Sequence, residues 1–552
     1  MTQADEACRA GGIVSSHEHR NIIDAFLENV RDHPRRIACV CGDITQTYEE
    51  MDVLSRKIAA VFRERGVAAG DRVAYLMPNS IELIAVYLAI QRIGAVAVPL
   101  NYRLIPREIA YLTNAVEAKL LVFDKRFVEK VEACRRDFSP SLDLLAVGME
   151  TPFAPRLLNL SDAARPESEL FSDPDALSRI QFTGGSTGLP KGACRTHGED
   201  IAEIRAILAS NDMLAMERPV VLIQCPLEHH GGHSWFMCAL SAGATVVICG
   251  KFDPDAIAAQ IEEHRVTHMI LLPPTTYMRL VRCEGARTRD LSSVRIVQSA
   301  AGALTPEVID GIFAAFPNAE LNYGWGQSES GSGITMRFTR EMAAQRSPLL
   351  SSLGRPMNEL EVRIVDDEGR DVPSGTPGEA IVRTPAMMSG YYGQPELTAA
   401  AFTSDGWLRT GDIMRERDGY YWLCARKKDM IKSGGENVFI NEVQTAILRD
   451  PDVADCVVFG TSDPVMGEAV AAVVQPVPGA HPTAESVQEA CKRYIASYKK
   501  PRYVVFADDL HRDDAGKVRL KDVIAYFDAH VEKIAAPGGD EGSSEEPAGV
   551  GR

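Results

Sequence analysis

The sequence predicts an α/β protein. A large N-terminal domain of layered, mostly parallel sheets with helices carries a small β-rich subdomain, and a small α+β domain follows it. Three observations lead there. At 552 residues the chain is several times a typical domain, and its 45% apolar content is enough for a large core. Short β-branched runs alternate with helical patterns, the mark of parallel α/β layers. From about residue 350 the texture shifts to short strands punctuated by glycine and proline.

In chain order, residues 1–20 read as a flexible N-terminus. They carry Asp5, Glu6 and Arg9 where a secretory signal would need a basic and then an apolar segment, so a cytoplasmic protein is expected. Strands are expected at 72–77, 95–98, 120–123, 220–224, 245–248, 269–272 and 294–298. The turn Pro78-Asn79-Ser80 supplies a cap for a helix over 81–90. The uncharged stretch 234–250 reads as a buried helix and strand divided at Gly243, not as a membrane span. Asp366-Asp367-Glu368-Gly369 and Pro373-Ser374-Gly375-Thr376-Pro377-Gly378 mark tight turns of the β-rich region. Past Lys427-Lys428-Asp429 the pattern is α+β, with strands at 456–459, 470–474 and 503–506 and an amphipathic helix over 484–497. Residues 531–552 hold few large hydrophobes and read as a disordered acidic tail.

Asp and Glu exceed Lys and Arg by 76 to 59, a net charge of -17, which argues against nucleic-acid or anionic-membrane partners. The twelve cysteines show no C-x-x-C pair and fall mostly in apolar runs, so buried free thiols are expected. Cys39 and Cys41 are expected to face opposite sides of one strand, which would disfavour a zinc site built on them.

The most informative segment is Phe182-Thr183-Gly184-Gly185-Ser186-Thr187-Gly188-Leu189-Pro190-Lys191-Gly192, directly after an apolar strand. Its glycines let backbone amides turn toward an anion. Thr183, Ser186 and Thr187 add donors and Lys191 a point charge, a set suited to polyphosphate. A Walker loop is excluded, because Lys191 follows proline and precedes glycine. Further on, Trp325-Gly326-Gln327-Ser328-Glu329 sets a carboxylate beside a hydroxyl in a Gly-rich loop, a hard-cation arrangement.

These segments resemble the adenylate-forming enzymes: acyl- and aryl-CoA synthetases, luciferases and the adenylation domains of peptide synthetases. The phosphate loop matches that signature, with Gly184 where Ser or Thr is usual. The resemblance runs from about Asn21 to Phe527. It implies a large AMP-binding adenylation domain over 21–427, a hinge at Lys428 and a small mobile domain over 428–530. It further implies that Trp325, in the usual Tyr position, meets adenine with Gly326 beside it, that Ser328 meets phosphate, and that Glu329 helps hold Mg2+. Ala300-Ala301-Gly302-Ala303-Leu304 resembles the strand end that lies along adenine and acyl group. Asp412, in Thr410-Gly411-Asp412, corresponds to the ribose-binding aspartate, and Arg426 to an arginine that reaches the nucleotide. Gly434 and Gly435 match the loop that admits the thiol, and Lys517 the mobile catalytic lysine, with His511 and Asp513 departing from the usual approach.

Pro226-Leu227-Glu228-His229 resembles the segment whose histidine lies beside the substrate carboxylate, with Glu228 where Phe is usual. His229 and His233 have the spacing of a helical metal pair, but Gly231-Gly232 between them disfavours helix. Amino-acid-activating relatives carry aspartate at the His229 position, so an acid without an α-amino group is expected. The function implied uses ATP, Mg2+ and coenzyme A: a carboxylic acid is activated to an acyl adenylate with release of pyrophosphate, then joined to coenzyme A. Two other readings stay open, a stand-alone adenylating enzyme that loads a carrier protein or partner, and an inactive nucleotide-binding scaffold. An oligomer is compatible with the sequence.

Overall fold

The computed structural model describes residues 19–167, 169–183, 190–250, 252–272, 274–300, 302, 304–427, 430–433, 436–464, 466–512 and 518–531. By compactness the chain forms two units. The first comprises residues up to Arg363, Ile381–Thr410 and Arg417–Trp422; the second comprises Ile364–Ala380, Gly411–Glu416 and the chain from Leu423 onward.

The β-branched runs of the first unit assemble into two sheets. The seven-stranded sheet runs in the order Gly390–Tyr391, Lys191–Thr196, Leu177–Thr183, Val96–Pro99, Arg72–Leu76, Leu120–Asp124, Asp143–Val147. Its centre is parallel, Arg72–Leu76 lying between Val96–Pro99 and Leu120–Asp124. These strands are almost wholly buried, as parallel strands covered on both faces must be. At the other end the last two pairings are antiparallel.

The nine-stranded sheet runs Arg355–Pro356, Gly331–Phe338, Glu320–Gln327, Ile296–Ala300, His268–Ile270, Val220–Ile223, Thr245–Ile248, Ile37–Cys41, Ile44–Thr47. Val220–Ile223 is parallel to both its neighbours. Glu320–Gln327 is parallel to one neighbour but forms an antiparallel hairpin with Gly331–Phe338. Cys39 is buried and Cys41 half-buried, and the expectation that they face opposite sides is corrected: two residues apart on a strand, they share one face and pack on the same core, while Val40 between them faces the other way; every described cysteine is a free thiol.

Two helices are buried on nearly every side. Ile81–Arg92 begins at Ser80, whose Oγ accepts the Leu83 amide at 3.1 Å, the cap expected from the turn before it. His230–Ser241 ends at Ala242, Gly243 turns the chain at φ +68°, and Thr245–Ile248 follows, so the uncharged stretch is a helix and a strand. Among the described residues no helix is long and apolar enough to cross a membrane.

The glycine-punctuated region forms strands Glu361–Val365, Gly378–Arg383, Leu408–Arg417 and Tyr420–Arg426, which make a four-stranded sheet. In the second unit Gly467–Pro476 pairs with Val453–Asp463, Met430–Ser433 and Tyr503–Phe506. The helix expected over 484–497 stops at Lys492, and a single 3-10 turn follows at Ser497–Lys499. Past Lys492 the side chains of Arg493, Tyr494 and Ala496 are exposed and only Ile495 packs on the core, which leaves no continuous apolar stripe to hold a longer helix down.

Gly354 sits at φ +101°, and a Cβ there would lie 1.9 Å from the Thr335 carbonyl oxygen. Gly354→Ala is therefore expected to destabilise the first unit by about 1–3 kcal/mol or more, read as a lowered melting temperature.

Candidate functional site

The hairpin of Leu177–Thr183 and Lys191–Thr196 flanks the glycine-rich loop. Its register sets Arg179 opposite Arg195, Gln181 opposite Ala193 and Thr183 opposite Lys191. Because side chains alternate along a strand, these six share one face, and Thr183 and Lys191 stand at its loop end. Gly184, Gly185, Ser186, Thr187 and Gly188 lie outside the described residues. The flanks alone show where the loop starts and returns.

Glu329 reaches this end from the nine-stranded sheet. Strand Glu320–Gln327 turns through residues 328–330 into Gly331–Phe338, with Gln327 paired to Gly331. Gly331 has φ +71°, as the closing residue of a three-residue hairpin loop requires. Gly326 is needed for a different reason, since a Cβ there would lie 2.6 Å from the Gly331 carbonyl oxygen. Ser328 and Glu329 therefore project from a turn whose two strands touch backbone to backbone.

Glu329 Oε1 lies 3.4 Å from Thr183 Oγ1 and accepts the Tyr391 hydroxyl at 3.1 Å. The Lys191 ammonium stands 5.3 Å from the centre of the Tyr391 ring. Thr183, Lys191 and Glu329, far apart in sequence, thus meet at one place. Tyr391 joins them and was not singled out from the sequence. Its position follows from the pairing of Tyr391 with Ala193 across the sheet edge. Burial first, then the Glu329 carboxylate, push its hydroxyl well above the ordinary tyrosine range, so it stays a donor.

Trp325 is buried against Gly333, where a Cβ would lie 3.3 Å from the indole. Gly302 accepts the Tyr323 hydroxyl at 2.8 Å through its carbonyl, while Ala301 and Ala303 lie outside the described residues.

The segment before helix His230–Ser241 corrects one expectation. Gly231 and Gly232 do not prevent the helix; they form its first turn, with His229 as N-cap. A Cβ on Gly232 would fall 2.1 Å from the Pro226 carbonyl oxygen, so glycine is there to let the helix approach the preceding turn. His229 is exposed and His233 buried, and among the described residues no three histidine, cysteine or acidic side chains gather as a metal cage. Glu228 points inward, only 4% exposed. Burial pushes its carboxyl up to about 8, which keeps it largely protonated at neutral pH.

Beneath both segments lies a group the sequence did not reveal: Arg179, Arg195, Asp200, Glu203 and His230, all buried. Asp200 accepts from Arg179 at 2.9 Å and from Arg195 at 2.6 Å, and Arg195 donates to Glu203 at 2.9 Å. Burial alone would raise both acids, but the two arginines hold Asp200 well below the usual carboxylate range. His230 and the arginines together do the same for Glu203. Burial, reinforced by Arg179, lowers His230 in spite of Glu203.

In the second unit Asp412, 1% exposed on strand Leu408–Arg417, pairs with Arg426 Nε at 3.2 Å. Arg426 keeps half its side chain in solvent. Lys428, Gly434, Gly435 and Lys517 lie outside the described residues.

The Glu228 carboxyl carries a pH signature. With a folded value near 8 against 4.5 for the free side chain, its stabilisation is complete below about pH 4.5 and is lost as pH rises through about 8. Glu228→Gln is expected to show a smaller fall in melting temperature than the wild-type chain across that window, measured by thermal denaturation. Equal falls would show that Glu228 ionises freely.

Residues 26–392 match the AMP-binding enzyme family and residues 442–517 the AMP-binding enzyme C-terminal domain. Indoleacetate–CoA ligase from Aromatoleum aromaticum is 34% identical over 86% of this chain and 92% of its own. 4-Coumarate–CoA ligase 5 from Oryza sativa subsp. japonica is 30% identical over 93% and 96%. An amide bond synthetase from Marinactinospora thermotolerans superposes with a TM-score of 0.81 at 29% identity, over 91% of this chain and 99% of that one. By these matches the chain belongs to the family of AMP-binding, adenylate-forming enzymes.

Proposed function

We propose that this chain is an AMP-forming acid–thiol ligase that activates an aromatic or arylalkanoic carboxylic acid with ATP and transfers it to coenzyme A. The observation that carries the reading is the convergence of Thr183, Lys191, Glu329 and Tyr391 at the mouth of the glycine-rich loop. Its support is similarity to ligases named for indoleacetate and 4-coumarate, over most of both chains. Both acids are aromatic and neither carries an α-amino group, which agrees with histidine at position 229. ATP and coenzyme A are soluble substrates, and we place the reaction in the cytoplasm.

The chemical problem is that a carboxylate must attack the α-phosphorus of ATP, although both are anions. Charge accumulates on the phosphate oxygens and on departing pyrophosphate, and preorganised donors and cations lower that barrier. Thr183, Ser186, Thr187, Lys191 and the glycine amides hold the β and γ phosphates, and Ser328 adds a hydroxyl. Glu329, Thr183 and Tyr391 offer oxygen donors, which suit a hard cation. A single carboxylate among them suits magnesium, which keeps most of its coordination for phosphate and water. Held there, a magnesium ion would supply neutralisation of phosphate charge. Trp325, Gly326 and the 301–303 strand end accommodate adenine. Asp412 accepts the two ribose hydroxyls, being a pure acceptor, and Arg426 steadies it.

His229 orients the acid, and Lys517 places a cation between carboxylate and α-phosphate. For the second half-reaction the small domain turns at Lys428, withdrawing Lys517 and presenting Gly434 and Gly435, whose missing side chains leave room for the pantetheine arm.

Three outcomes are expected. Pyrophosphate release with ATP and magnesium, assayed over aliphatic and aromatic acids with and without coenzyme A, turns over only with coenzyme A and yields a thioester, with aromatic acids preferred. An adenylate that coenzyme A does not discharge would instead indicate another acceptor. Glu329→Gln lowers the adenylation rate by on the order of a hundredfold or more. Lys517→Ala abolishes adenylation yet still converts supplied acyl adenylate and coenzyme A to thioester; equal loss of both steps would overturn the assignment.

A further inference from the structure

The buried charges have no role in the chemistry just described, yet their contacts lead outward to two of its parts. Arg179 and Arg195 stand directly opposite each other on paired strands, an arrangement that is repulsive by itself. Asp200 accepts from both and draws them together, and Ser178 donates to it at 2.6 Å. Glu203, one helical turn further on, accepts from Arg195 through Oε2. Around its Oε1 stand Ser234 Oγ at 3.1 Å, the Ser332 amide at 3.0 Å and His230 Nε2 at 3.0 Å. His230 Nδ1 takes a hydrogen from Arg179 at 2.9 Å. Two guanidinium groups and two carboxylates, all buried, thereby balance one another.

One exit leads to the acid side. Arg179 donates to Gln181 Oε1 at 3.2 Å, and Gln181 Nε2 donates to the backbone carbonyl of Glu228 at 3.1 Å. That carbonyl is one peptide from His229. The other exit leads to the nucleotide side. Arg195 Nη1 donates to the Ala386 carbonyl at 2.7 Å and lies 3.5 Å from the Ser328 carbonyl, while the Met388 amide donates to the Glu329 carbonyl at 2.7 Å. The hairpin turn that bears Glu329 is held between these contacts. Ser332, just past that turn, is held by Glu203.

We propose that Arg179, Arg195, Asp200 and Glu203 form a positioning device for the active site, with Gln181 registering the His229 segment and Arg195 registering the Glu329 turn. None of these residues touches substrate. They fix two segments that leave separate strands of the nine-stranded sheet, Val220–Ile223 and Glu320–Gln327, and have no direct bond to one another in the contacts above. A buried ion pair exchanged for apolar residues of similar volume commonly leaves a protein as stable or more so. Stability alone therefore does not require these charges, whereas placement of two catalytic segments does. A displacement of about 1 Å at such a site can cost on the order of a hundredfold in rate, so even partial loosening is measurable.

The inference rests on the nucleotide and acid sides being where the proposed function puts them, and the test separates the two. In the full chain, Gln181→Met removes one exit without changing charge. Arg195→Met combined with Glu203→Met removes one positive and one negative charge together and leaves Arg179 paired with Asp200. Thermal denaturation is expected to show both variants folded, with melting temperatures close to or above the wild-type value. Calorimetric titration with MgATP is expected to show affinity weakened on the order of tenfold in the double variant and unchanged in Gln181→Met. In steady state, Gln181→Met raises KM for the acid with KM for ATP unchanged, and the double variant shows the converse.

Folded variants with wild-type affinity and KM values would overturn the device, as would losses that merely follow the folded fraction. Failure of the wild-type chain itself to bind MgATP would remove the functional reading and this inference with it.

Discussion

Two arginines buried side by side constrain everything around them. Taking an ion out of water costs several kcal/mol even after the protein relaxes, and a second like charge across the strand adds to that. The cost is met only if acids stand at set positions, so helix His197–Ser210 must present Asp200 and Glu203 to the sheet together. That fixes how the helix lies on the hairpin, and with it the distance between the phosphate-loop flanks and the Glu329 turn. Apolar packing would tolerate small slips here, but a network of directional bonds does not.

The layered architecture was largely legible before any coordinates. Strands at 72–77, 120–123 and 245–248 and the helix beginning after Ser80 follow from β-branched runs and a cap, and the structure places them within a residue or two. Local chemistry determines such features, so local reading finds them. Thr183, Lys191 and Glu329 were legible because their motifs carry the phosphate and cation chemistry on their face, and the fold brings them to one point.

What escaped the sequence depends on register. Tyr391 carries no local sign of a site role, and only its pairing with Ala193 turns the hydroxyl toward Glu329. Asp200 and Glu203, a turn apart on a helix, have the spacing of an ordinary solvated face. Arg179 and Arg195 alternate with apolar neighbours, as exposed strand residues do. Nothing within either segment says that they meet. The reverse error occurred at Gly231 and Gly232, where low helix propensity was outweighed by tertiary contact.

The contact between Gly232 and the Pro226 carbonyl has an evolutionary meaning. A clash between two side chains can be relieved by shrinking either partner, but here the obstacle is main chain, which no neighbouring substitution can trim. Position 232 is therefore closed to variation while the helix keeps its start. Variation along this segment is left to neighbours that already carry side chains, such as Glu228 and His229. Lineages built on this scaffold would diversify chemically at such positions while the path of the chain beneath them stays frozen.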